Sequence, residues 1–157
     1  MSFRIIGLDA APFMPFFGMT DSELASHGVK RMIVDASPGY PDRIEIADAP
    51  LGASVLLLNY LHQPADTPYR SRHAIFVREG ALETLDVIDL IPAALERRTI
   101  SLRGFDSSHD MVDAILVEGM NLRAAIERML IDRQVAYLHA HYATRGCYAA
   151  RIERPVA

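Results

Sequence analysis

The stretch Thr99–Glu118, TISLRGFDSSHDMVDAILVE, decides the fold class. Two runs rich in apolar residues, Thr99–Phe105 and Met111–Glu118, flank the polar group Asp106-Ser107-Ser108-His109-Asp110. Turn formers between two such runs predict an antiparallel hairpin. The period then changes. Leu122, Ala125, Ile126, Met129 and Leu130 recur at the spacing of one helix face, with Asn121 placed as its N-cap and Arg123 paired to Glu127 on the other face. Val135–Tyr142 and Cys147–Glu153 read as two further strands joined by a turn at 143–146. A hairpin, a helix and a second hairpin in succession predict an α+β fold with a mostly antiparallel sheet.

Working back toward the N-terminus, residues 1–8 read as a first strand. Pro12, Pro15 and Gly18 then impose an irregular segment carrying Phe13, Phe16 and Phe17, which need cover from the core or from a partner. Thr20-Asp21-Ser22-Glu23 spells a capping box for a helix over 21–27, with Met19 and Leu24 as a hydrophobic staple and Gly28 as the stop. Strands are expected at Val29–Asp35, Arg43–Ile46, Val55–Tyr60 and Ala74–Val77. His62–Arg72 contains Pro64 and Pro68 and reads as a loop. Leu82–Leu90 mixes periods, and Pro92–Arg98 suits one or two helical turns. No repeat or linker interrupts the chain, so residues 1–157 are expected to form a single domain with two or three helices.

Composition narrows the function. The formal net charge of −4 argues against a nucleic-acid partner. No apolar run approaches the ~20 residues of a membrane helix, and the opening residues lack a basic start followed by an apolar core, so no secretory leader is expected. A cytoplasmic, bacterial-type protein with no membrane partner is the expectation. Cys147 is the only cysteine, which excludes an intramolecular disulfide framework and a multi-cysteine zinc site. No glycine-rich phosphate loop is present, and no cofactor is assigned.

The densest polar stretch, 59–73, joins two apolar strands. It offers Tyr69, Arg70 and Arg72 as ligand-binding residues, with His62 or His73 as the group that moves a proton. The leading expectation is therefore a pocket for a small anionic metabolite beside the 62–73 loop. Arg103 joins that set if it points inward, because an inward guanidinium needs an anionic partner. An alternative is an enzyme in which Cys147, next to Arg145, is the nucleophile and His139 or His141 the base. A third is a non-catalytic homodimeric interaction domain, suggested by the N-terminal phenylalanines. A fourth and weaker reading is metal binding: His139 and His141 share a strand face beside Tyr137 and a first-row metal would accept both, but spacing supplies no third ligand, so no metal site is assigned.

The order of segments resembles the bacterial family called domain of unknown function 1203. The resemblance is carried by Leu56–Tyr60, His62-Gln63-Pro64, Pro68-Tyr69-Arg70, Ala74–Val77, Ser101-Leu102-Arg103, Met111–Ala114 and, most specifically, Arg145-Gly146-Cys147-Tyr148-Ala149-Ala150-Arg151. It implies one compact domain and no particular catalytic residue, cofactor or substrate. Members of that family have a cysteine just after the proline matching Pro41, where this chain has Asp42. A paired-thiol role for Cys147 is therefore not implied here.

Overall fold

The computed structural model describes residues 1–157. The expected hairpin forms as β8 (Thr99–Phe105) and β9 (Met111–Glu118). Beside it lie β10 (Tyr137–Tyr142) and β11 (Cys147–Glu153), then β1 (Arg4–Ile6) and β7 (Asp86–Ile88). Together they make a six-stranded sheet in the order β7-β1-β11-β10-β8-β9, antiparallel throughout. A second sheet of five strands runs β2 (Lys30–Ile33), β5 (Ser54–Gln63), β6 (Ser71–Arg78), β3 (Pro41–Asp42) and β4 (Ala47–Asp48). Its one parallel pair is β3 with β6. The α+β class holds, with two mostly antiparallel sheets.

Side-chain alternation divides the interior in two. Leu138, Ala140 and Tyr142 of β10 join Ile100 and Leu102 of β8 on one face of the larger sheet. The apolar stripe of α3 (Leu122–Ile131) packs there, burying Leu122, Ala125, Ile126, Met129 and Leu130. On the opposite face Tyr148 of β11 joins a second core with Leu56, Leu58, Ile75 and Val77 of the smaller sheet. The two sheets therefore meet across the face that carries Tyr137, His139 and His141.

The remaining helices are short. α1 (Asp21–Ser26) starts with the expected capping box, Thr20 Oγ1 accepting from the Glu23 amide and Glu23 reaching back to the Thr20 amide. α2 (Ala93–Glu96) is a single turn. No helix is long and apolar enough to cross a membrane.

Three local expectations fail for identifiable reasons. Asn121 occupies the N-cap position of α3, but its side chain makes no capping bond, because a 3-10 turn over Gly119–Asn121 leads directly into the helix. Arg43–Ile46 is not a strand but the turn between β3 and β4. Its charged and apolar residues alternate without a partner strand to pair them. The 62–72 loop is shorter than its polarity suggests, since β5 runs through Gln63 and β6 begins at Ser71. Hydrogen bonding to a neighbouring strand overrides polarity at both ends. Phe13, Phe16 and Phe17 pack on the chain's own second core, Phe13 lying 5.9 Å from the Tyr60 ring.

Candidate functional site

Two sites share β10 and β11, one on each face. The first lies where the β10–β11 turn meets the 43–46 turn and the end of α2. It is a cavity of about 550 Å³, within the range of small-molecule pockets. Arg43, Arg97, Arg98 and Arg145 line it, and no acidic residue does.

Arg43 forms the floor and is 1% exposed. Its Nε donates to the Tyr148 carbonyl at 2.8 Å, Nη1 to the Pro41 carbonyl and Nη2 to Cys147 Sγ at 3.0 Å. None of these partners is a carboxylate. Asp42, next in the chain, is turned away and accepts from the amides of Ile44, Glu45 and Arg78. Burial pushes the Arg43 pKa down. A desolvated cation with no carboxylate bonded to it is costly, and an anion in the cavity would relieve that cost.

The Tyr142 ring lies between two guanidiniums, 4.9 Å from Arg43 Cζ and 5.1 Å from Arg98 Cζ. Burial lifts its pKa to about 12, so the phenol stays protonated. Its hydroxyl is buried without a hydrogen-bond partner, and Tyr142 lines the cavity. Arg97 and Arg98 both bond Asp48, at 2.9 and 2.5 Å. Burial alone would raise the Asp48 pKa, but these arginines outweigh it and hold it low. Arg145 is exposed on the turn. Four guanidiniums thus face one neighbouring carboxylate. The 43–46 turn is held by a close approach at Gly7. A Cβ there would lie 2.1 Å from the Ile44 carbonyl oxygen, so only glycine lets Leu8 N reach Arg43 O at 2.8 Å.

The second site lies between the sheets. In the β5–β6 pairing, Leu61 faces Arg72 and Gln63 faces Ser71, so His62 is the extra residue of a β-bulge. A second irregularity falls at Ala140/His141 in the β10–β11 pairing. Bulges re-aim side chains, and here His62 meets His139 and His141. Its ring is 4.9 Å from that of His141, 6.4 Å from that of His139, and stacked on Tyr148 at 5.5 Å. One donor nitrogen from each imidazole lies within 4.8 Å of the other two. His62, His139 and His141 are 9%, 4% and 1% exposed.

Burial, helped by the Arg103 charge, pushes the three pKa values down to about 4, 2 and 3 in that order. All three are neutral bases near neutral pH. His141 Nδ1 lies 2.9 Å from the Gly146 carbonyl, so it carries the proton and leaves Nε2 as a free lone pair. Arg103 stands opposite His139 in the β8–β10 register and shares its face. It does point between the sheets, where its Nε donates to Ser101 Oγ at 3.2 Å and meets no carboxylate. A cleft of about 430 Å³, walled by His62, Asp66, His109, Tyr137, His139 and Arg151, opens on this cluster.

The sequence-based site residues are dispersed. Tyr69, Arg70 and Arg72 are exposed. Arg70 bonds the Pro64 carbonyl and Arg72 bonds Asn59 Oδ1 at 2.5 Å, so both are occupied with local structure and neither lines the cleft. His73 is half-buried, its Nδ1 at 3.2 Å from the Ala74 carbonyl. The Cys147–His pair does not form. Cys147 pairs with Tyr142 and shares its face, whereas His139 and His141 lie on the other. A short turn joins the two strands, but alternation separates the side chains. Arg43, Arg97, Arg98 and Tyr142 were not anticipated. The one available signal was Arg43-Ile44-Glu45-Ile46, where a charge adjoins apolar residues.

The two-sheet α+β architecture with a small-molecule-sized cavity defines a class of domain and leaves its activity open. The family model "Protein of unknown function (DUF1203)" matches residues 39–154, and the chain belongs to that family. Neither the curated proteins nor the solved structures include a match to this chain.

Proposed function

We propose that this protein binds a small anionic metabolite, and that the ligand occupies the arginine-lined cavity at the β10–β11 turn rather than the 64–70 loop. The observation that carries this reading is a cavity lined by Arg43, Arg97, Arg98 and Arg145 with no acidic residue in its wall. Planar guanidiniums fork carboxylates and phosphates. The protonated, unpartnered Tyr142 hydroxyl offers one further donor. The neighbouring cleft is a poorer anion site, since Asp66 and Arg151 both line it and its imidazoles are neutral.

Binding rather than catalysis is the better-supported activity, because Cys147 has lost its candidate base to the opposite face of the sheet. The test is a thermal-shift panel of inorganic phosphate, phosphorylated metabolites and di- and tricarboxylates on untagged protein. A ligand at ~100 times its Kd stabilises the folded state by ~2.7 kcal/mol. The melting shift should vanish in the Arg97→Ala, Arg145→Ala double variant and survive in Arg70→Ala. A shift lost in Arg70→Ala instead returns the site to the 64–70 loop. A panel without any shift removes the proposal.

A further inference from the structure

We infer that His62, His139 and His141 form the binding site of one divalent first-row transition-metal ion, with zinc the best match to the donor set and a fourth position open to the adjoining cleft. This site is independent of the arginine cavity and does not rest on the anion reading.

Three separate features lead to it. The first is geometric: β5 of one sheet and β10 of the other deliver three imidazoles to one point, with a donor nitrogen from each inside 4.8 Å. An ion about 2.0–2.1 Å from each nitrogen would draw them to a mutual spacing of about 3.3 Å. The required movement is on the scale of side-chain rotation.

The second is hydrogen bonding. His62 Nδ1, His139 Nδ1 and His141 Nε2 are all buried and have no partner. Leaving a buried polar atom unsatisfied costs about 1–3 kcal/mol. Three such atoms on converging imidazoles are unusual in a folded protein. The Gly146 carbonyl fixes the His141 tautomer, the role that an outer partner plays for a metal-bound histidine.

The third is chemical. The donors are neutral imidazoles with no thiolate or carboxylate among them. Such sets suit zinc, copper, iron and nickel. Three histidines with a vacant fourth position form the pattern of a reactive zinc site, whereas structural zinc is closed by four protein ligands. Arg103 lies on the same face of the sheet as His139, and Arg151 lines the adjoining cleft.

The experiment titrates zinc(II), and cobalt(II) as a visible-light probe, into untagged protein stripped with chelator. One ion per chain should bind, and cobalt should give the intense visible band of a four-coordinate, nitrogen-ligated centre. His139→Asn and His62→Gln should each weaken binding at least ~100-fold, beyond the upper range seen for lost outer-shell partners. His27→Ala, at an exposed histidine elsewhere, should change nothing. No saturable binding overturns the proposal. So does binding that persists in the His62 and His139 variants, which marks adventitious sites. If those variants fail to fold, the wild-type cobalt spectrum decides, and a weak six-coordinate spectrum overturns the assignment.

Discussion

At the β10–β11 turn, side chains of the two strands line a cavity rich in permanent charge. A few residues further along the same strands, on the opposite face, the side chains are neutral bases. The arginine cavity has Tyr142 and Cys147 in its wall, and the imidazole cluster has His139, His141 and the stacked ring of Tyr148. Both draw on adjacent residues of one hairpin, yet the sheet itself separates them. The period of two along a strand is the cause. A hairpin buried on both faces can serve two sites of opposite character without their side chains meeting.

The largest expected effect comes from breaking the charged region at its floor. Arg43→Ala strands the Pro41 and Tyr148 carbonyls and opens a void beside Cys147. The stranded carbonyls and the void outweigh the relief of removing a desolvated charge, for a net cost of about 2–4 kcal/mol, read as a shift in the urea midpoint. A loss under about 1 kcal/mol would show that Arg43 is not the staple of this region.

The imidazole region should respond in the opposite sense. Replacing His139 with Leu removes a partnerless buried ring nitrogen from apolar and aromatic surroundings. The metal-free protein should be unchanged or up to about 2 kcal/mol more stable. Marked destabilisation of chelator-treated protein would mean that the ring is satisfied by something other than an ion.

A third variant measures what an ordinary ion pair contributes away from both sites. Glu79 accepts from Arg31, Ser54 and the Gly18 amide, and the Arg31 hydrogen bond leads in holding its pKa down to about 2. A depressed carboxyl stabilises the fold above its unfolded pKa, about 4.3. That contribution fades as pH falls from there toward 2. Glu79→Gln should cost about 1–2 kcal/mol at pH 7 and flatten the melting temperature between pH 5 and 2. An acid limb unchanged from wild type would remove Glu79 from the account.

The smallest effects belong to the exposed arginines. Arg145→Ala, Arg70→Ala and Arg72→Ala should each leave stability within about 0.5 kcal/mol. Only Arg145→Ala should also reduce an anion-induced melting shift, and that difference separates the turn cavity from the 64–70 loop.

The sequence determined the parts whose causes are local. The 99–118 hairpin, the apolar face of α3 and the Thr20–Glu23 capping box formed as their spacing requires, because each depends on residues within a few positions of one another. The pairing of His139 with His141 on one face was legible for the same reason. Tertiary structure alone supplied the third imidazole, since His62 lies on another sheet and reaches the cluster through a bulge. It also supplied Arg43, which adjoins Cys147 only because the 43–46 turn folds back against the larger sheet. In the same way it turned Cys147 away from the histidines, since the β10–β11 register settles which face each residue takes. Chain spacing encodes periodicity, but it carries no information about which distant strands will pair or where their register slips by one residue.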